Sequence, residues 1–226
     1  MKKPVFLTVI FLGLFIANGA AATVFHPEVN DQMQKENFWA EISFAEGSTA
    51  TLAEFRAWYP FPADKVFPVL IDTNNFPKVH SNYENAMTLT KTVFDQAIVA
   101  KPKSVDELEP ILKTGRQASA ASRQKNAMWD DFVYLNFNFP WPLSNRWTLQ
   151  EVHVDETKAV QGIYRFDYKM RVGNFKTLSG YWELVPIEGK PGWTEFRGAY
   201  KADPGIPLPK FVTKVAAKTS LKKDFE

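Results

Sequence analysis

Three histidines, no cysteine and the paired acids Asp130-Asp131 and Asp155-Glu156 bound the chemistry open to this chain. His26 stands in a polar lead-in, His80 follows a short apolar helix, and His153 lies near a strand end. None sits beside a nucleophile or in metal-ligand spacing. His80 with Asp72 or Tyr83 is the one combination suited to proton transfer, although a position beside a turn favours a solvated surface histidine over that role. Asp130-Asp131 and Asp155-Glu156 fall at turns or strand edges, where carboxylates are ordinarily solvated. The chain has no glycine-rich phosphate loop and no Gly-x-Ser-x-Gly, and without cysteine it has neither thiol chemistry nor a disulfide. No catalytic residue, cofactor or metal site follows from these patterns.

Aromatic residues carry the stronger pattern. Tyr164, Phe166, Tyr168 and Met170 alternate with Arg165, Asp167, Lys169 and Arg171, so one strand face is apolar and the other meets water. Trp182, Phe196 and Tyr200 repeat the pattern on later strands. Such a stripe either fills a core or lines an enclosed apolar site. Arg146 opens a strand after the proline-aromatic turn Phe139-Pro140-Trp141-Pro142. A buried guanidinium needs a partner, which is either a carboxylate at the strand start or the polar head of a ligand.

These side chains need a sheet to hold them. Residues 23–37 read as a polar lead-in, helical from Glu28, before strands at 38–44 and 49–59 and a helix at 64–71. One or two strands are expected over 85–100. A helical region is expected over 104–126, opened by the capping-box spacing Ser104-x-x-Glu107. Further strands follow at 131–138, 146–154, 162–172, 180–186 and 193–201. At the C-terminus Leu208, Phe211, Val212, Val215 and Ala216 share a helical face, with Lys210, Lys214 and Lys218 beside it. Phe211 and Val215 are thereby expected to cover the core and form one wall of any cavity. The lysine ridge suits solubility or approach to an anionic lipid surface. Alternating strands with segregated helices indicate an antiparallel sheet in an α+β domain.

The 226 residues suffice for one domain, taken as 23–226. Ahead of it, Met1-Lys2-Lys3, the uncharged apolar run 5–16 and Ala20-Ala21-Ala22 have the order of a cleaved signal peptide over 1–22. The expected location is therefore periplasmic or secreted. Loss of Lys2 and Lys3 with that segment leaves 25 basic residues against 25 acidic ones. A balanced charge without a nucleic-acid-binding motif sets nucleic acid aside as a partner.

Pro142-Leu143-Ser144-Asn145-Arg146, Gly180-Tyr181-Trp182-Glu183-Leu184 with Trp193-Thr194, and Asp203-Pro204-Gly205 with Pro209-Lys210-Phe211-Val212 come in a telling order. Together they resemble the START-related (SRPBCC) lipid-binding domains of the helix-grip superfamily, which also holds Bet v 1-like proteins and polyketide cyclases. The resemblance spans roughly residues 30–220. It implies a curved antiparallel sheet wrapped round a C-terminal helix, with an internal apolar cavity for a lipid, sterol, isoprenoid or similar molecule. Arg146, Tyr164, Phe166, Tyr168, Met170, Trp182, Phe196, Tyr200, Phe211 and Val215 are the ligand-binding candidates. The expected activity is binding or transport of that hydrophobic ligand, with transient membrane contact. The alternatives are an enzyme of the cyclase, aromatase or dehydratase kind using the same cavity, and an interaction module with a filled core.

Overall fold

Period-two patterning gives nine strands that pair into one antiparallel sheet. The computed structural model describes residues 27–44, 50–139 and 145–206 together with Pro209, Phe211, Lys214, Val215, Ala217 and Leu221; side chains are described from residue 31 onward. Helix α1 (Pro27–Glu36) leads into β1 (Phe38–Phe44) and β2 (Thr51–Tyr59). Helix α2 (Ala63–Leu70), a 3-10 turn (Thr73–Asn75) and α3 (Phe76–Val79) cross to β3 (Tyr83–Leu89). Then come α4 (Lys91–Ala100), α5 (Val105–Leu112), β4 (Arg116–Gln117), β5 (Met128–Phe137) and β6 (Arg146–Asp155). The series ends with β7 (Tyr164–Gly173), β8 (Thr177–Pro186) and β9 (Thr194–Asp203). Strand order is β1-β2-β9-β8-β7-β6-β5-β3-β4, so the curved sheet is open, with β1 and β4 at its edges.

One face of this sheet is the interior. Ala53, Phe55 and Ala57 on β2, Phe166 on β7, Leu184 on β8 and Phe196 on β9 join Phe67 of α2 in a single buried cluster. The opposite face is solvated on β7 but covered on β5 and β6. There Phe132, Tyr134, Trp147 and Leu149 pack beneath Phe94, Ala97, Leu108 and Leu112 of α4 and α5. Burial on both faces is why β5 reads as a nearly continuous apolar run instead of an alternating one.

The helical hairpin corrects two expectations. Residues 85–100 are half strand and half helix: Thr90 Oγ1 accepts the Val93 amide at 3.4 Å and starts α4, and Val93, Phe94 and Ala97 bury one face. The β-branched Val93, Ile98 and Val99 made that helix look like a strand. Ser104 does cap α5, accepting from the Glu107 amide at 3.3 Å, while Glu107 reaches back to the amide of Lys103 at 2.8 Å. The helix nonetheless ends at Leu112. Gly115 passes so close to α4 that an added Cβ would lie 2.3 Å from that of Val93, and the chain then pairs as β4 with β3.

Phe211, Lys214, Val215, Ala217 and Leu221 are all helical, as expected, but the buried face is not the expected one. Leu221 is 6% exposed within the main core cluster with Ala217 packed beside it, whereas Phe211 is 71% and Val215 63% exposed. Ala217 and Leu221 stand four residues apart, so they share a helical stripe rotated away from the Phe211–Val215 stripe. Sequence hydrophobicity favoured the wrong stripe because the small Ala217 carries little apolar weight. Leu221→Ala is accordingly expected to cost about 2–4 kcal/mol in urea unfolding and Phe211→Ala no more than about 0.5. The reverse ranking would restore the original face.

Candidate functional site

The interior is not filled. Phe67 stacks on Tyr164 with ring centres 4.2 Å apart and lies 5.4 Å from Phe166, which plugs one end of the concave sheet. Arg123 lies over the other side of Phe67 at 4.9 Å and is held by Glu156 through two bonds of 2.7 and 2.8 Å. Trp129 Nε1 donates to the same carboxylate at 2.9 Å. Beyond this plug the side chains stand apart and leave a cavity of about 200 Å³. A single water needs about 10–15 Å³, so this is far more than a packing fault.

Its walls come from many strands: Phe55 on β2, Phe196 and Tyr200 on β9, Trp182 on β8, Tyr168 on β7, Gln150 on β6 and Leu135 with Phe137 on β5. Leu70, Phe76, Ala217 and Leu221 cover it from the helical side. Trp182 is the hinge of the aromatic wall, 5.4 Å from Tyr168 and 5.7 Å from Phe196. At the partly exposed rim, Tyr83 lies 5.2 Å from Phe137, which meets Phe139 at 5.8 Å and Phe175 at 5.9 Å. Gly180, paired with Tyr168, carries no side chain for a physical reason. An added Cβ would lie 2.7 Å from the Tyr168 hydroxyl and 2.4 Å from a backbone oxygen. Glycine here lets Tyr168 lie across β8 and present its ring to the cavity.

A smaller chamber of about 50 Å³ lies deeper. Leu70, Phe76, Leu135, Gln150, Tyr168 and Trp182 line both spaces, so the chamber is a recess of the main cavity. Asp131 faces it from β5 between Trp129 and Val133. Its carboxyl is 4% exposed and accepts from the Phe132 amide at 3.2 Å and from the Ala120 amide. Burial pushes its pKa up to about 7, against the smaller opposite pull of those amides. Ala120 holds a φ of 51°, in the left-handed region that alanine rarely adopts, within the segment that donates to Asp131. Asn74 fastens the same segment to the 3-10 turn, donating from its amide nitrogen to Ser119 Oγ at 3.0 Å and from Nδ2 to the Gln117 carbonyl at 2.8 Å. Residues 118–127 thus form a roof of turns over the deep end and not the second half of a helix.

Of the ligand-binding candidates, Phe166, Tyr168, Trp182, Phe196 and Tyr200 line one or both spaces. Tyr164 instead packs under Phe67, and Met170 is half-buried outside the lining, beside Gly173. Arg146 opens β6 opposite Phe137, touches the Asn145 carbonyl at 3.5 Å and does not line the cavity. Phe211 and Val215, being exposed, form no wall. The paired acids also differ from expectation. Asp130 is solvated beside His153 at 2.8 Å, but Asp131 and Glu156 are buried. Inner-face alternation through Trp129, Asp131, Val133 and Leu135 was the signal for Asp131. His80 lines the cavity 6.0 Å from the Tyr83 ring, and burial lowers its pKa; Asp72 is occupied by Asn75. His26, the signal segment and residues 140–144 of the proline-aromatic turn lie outside the described residues.

Known structures share this architecture. A STAR-related lipid transfer protein from Xanthomonas axonopodis superposes with a TM-score of 0.54 at 17% identity, covering 82% of this chain and 88% of that one. The lipid transfer and protein localization domain of human StarD13 gives 0.52 at 10% identity, covering 91% and 99%. The chain has a START-related helix-grip fold. No family model and no curated protein matches the sequence. At these identities the START-related likeness lies in the fold, and what the cavity holds has to be argued from its own walls.

Proposed function

We propose that the protein binds and carries a hydrophobic molecule in the cavity between its sheet and its C-terminal helix. The observation that carries this reading is the unfilled, aromatic-walled space of about 200 Å³ in an otherwise close-packed domain. An interaction module would gain nothing from leaving it open, since filling it would stabilise the fold. The cyclase-like alternative draws no comparable support, because the His80 ring meets those of Phe76 and Tyr83 and no acid or nucleophile is bonded to its side chain among the described residues. The lipid transfer named for the two structural neighbours agrees with carriage. Residues 1–22, read as an export signal, would place this carrier in the periplasm or outside the cell. Transient contact with a membrane belongs to the same reading: exposed Phe211 and Val215 flank exposed Lys214, a pairing suited to a lipid surface.

Organic extraction of the purified protein followed by mass spectrometry tests the reading, with a stoichiometric apolar compound as the expected result. In parallel, Phe166→Asp is expected to abolish uptake of a fluorescent lipid and to cost roughly 3–5 kcal/mol, while Arg165→Gln on the solvated face retains uptake. An empty extract together with equal sensitivity at both positions would reject the cavity as a binding site.

A further inference from the structure

The deep recess has a chemistry of its own. It is built mostly from apolar side chains, yet its β5 wall carries a carboxyl group in a position where Trp129, Val133 and Leu135 point the same way. A solvent-facing position was available one residue earlier, where Asp130 meets water and His153. No salt bridge to Asp131 forms among the described residues, and none of the described residues lining either space is Lys or Arg. A buried acid with backbone amides as its only bonded partners retains acceptor capacity.

We propose that Asp131 is the polar anchor of the cavity and that the ligand is a neutral alcohol whose hydroxyl enters the deep recess first. This rests on the reading of the cavity as an apolar-ligand site and names the ligand class. Two considerations select it. An anionic head would meet a carboxyl group with no cation to offset it, which disfavours fatty acids and phospholipids in this orientation. An ammonium head would draw the carboxyl into its ionised form and bury two charges at a desolvation cost, whereas a hydroxyl bonds it in either protonation state, donating to the carboxylate or accepting from the acid. With its pKa raised to about 7, Asp131 has both states within reach near neutrality. Tyr168 and Gln150, shared by both spaces, stand where the chain of such a ligand would turn from the recess into the aromatic cavity. Gln150 Nε2 donates to Thr148 Oγ1 at 2.8 Å, which holds its side chain in place.

The test is displacement of the neutral dye N-phenyl-1-naphthylamine from the delipidated protein by decan-1-ol, decyl methyl ether, decanoic acid and decylamine. Wild type is expected to bind the alcohol about 10-fold or more tightly than the ether, the effect of one hydrogen bond to a carboxyl group. It should also prefer the alcohol to the acid and the amine. Asp131→Leu should bring alcohol and ether within about 3-fold while leaving the ether bound, and Asp131→Asn, which keeps an acceptor, should retain most of the preference. Equal binding of alcohol and ether by wild type, tighter binding of the amine or acid, or an alcohol preference surviving in Asp131→Leu would each overturn the assignment while leaving an apolar-ligand site standing. Failure of dye and all four compounds to bind would overturn both.

Discussion

Arg123→Ala is expected to cost about 3–5 kcal/mol, a loss out of proportion to a residue that is one quarter exposed. The cause lies in its partner. The Glu156 side chain is 1% exposed, and the guanidinium meets it through two bonds of 2.7 and 2.8 Å. Removing the arginine leaves a buried carboxylate with Trp129 Nε1 as its remaining side-chain donor. Removing the acid is the smaller injury, because Arg123 is exposed enough to turn toward water. Glu156→Gln also keeps an acceptor for Trp129, so about 1–2 kcal/mol is expected for that change. In a domain of about 200 residues, the arginine substitution should lower Tm by roughly 6–20 °C. Equal losses from the two substitutions in urea unfolding would show that the geometry of the pair matters, and not the burial of Glu156.

The same substitution bears on the recess. Arg123 belongs to the roof segment that also contains Ala120, whose amide donates to Asp131. Loosening Arg123 therefore removes the clamp that holds a strained backbone against the acid. If Asp131 anchors the ligand as proposed, stability and ligand selection are coupled through this short segment, although neither Arg123 nor Glu156 lines the cavity.

Most of the sheet was legible because period two is a direct consequence of strand geometry. Tyr164 to Met170 alternated as expected, and the resemblance carried by the later segments implied the helix-grip shape. What failed did so for local reasons. The 118–122 run of Ala and Ser has helix propensity, but Ser119 and the neighbouring turns bond across to Asn74, a contact 45 residues distant that no local pattern reveals. Residues 93–99 are β-branched enough to resemble a strand, and only the Thr90 cap and Gly115's approach to Val93 set the helix. On the C-terminal helix, summed hydrophobicity chose Phe211 and Val215, while the core cluster that includes Phe55 accepted the narrower Ala217–Leu221 stripe. The cavity itself was inferable as an apolar face, yet its boundary was not. Tyr164 and Phe166 are alike in sequence and differ only because Phe67 stacks on the first at 4.2 Å and leaves part of the second open to the recess.

Asp131 gives the last and most diagnostic expectation, a stability that falls as pH rises. Its folded pKa of about 7 lies well above the usual aspartate value of 3.8, because burial penalises the charged form. Between those values the folded state holds a proton that the unfolded chain has released, so stability declines with rising pH across this window. The penalty is absent below about pH 4 and fully present above about pH 7. A rise from 3.8 to about 7 corresponds to as much as about 4 kcal/mol, and structural relaxation reduces that to roughly 2–4. Asp131→Asn keeps an acceptor for the Phe132 and Ala120 amides but cannot ionise. It should therefore stabilise the protein by no more than about 1 kcal/mol at pH 4.5 and by roughly 2–4 kcal/mol at pH 8, read from urea unfolding of both proteins at both pH values. The neighbouring titratable group facing the recess is Tyr168, whose pKa burial raises further above the neutral range, so it stays protonated throughout this window. A stabilisation independent of pH would mean that Asp131 is ionised and compensated at all times. On the proposed anchoring role, saturating decan-1-ol should stabilise wild type and Asp131→Asn to a similar degree at pH 8 and stabilise Asp131→Leu less.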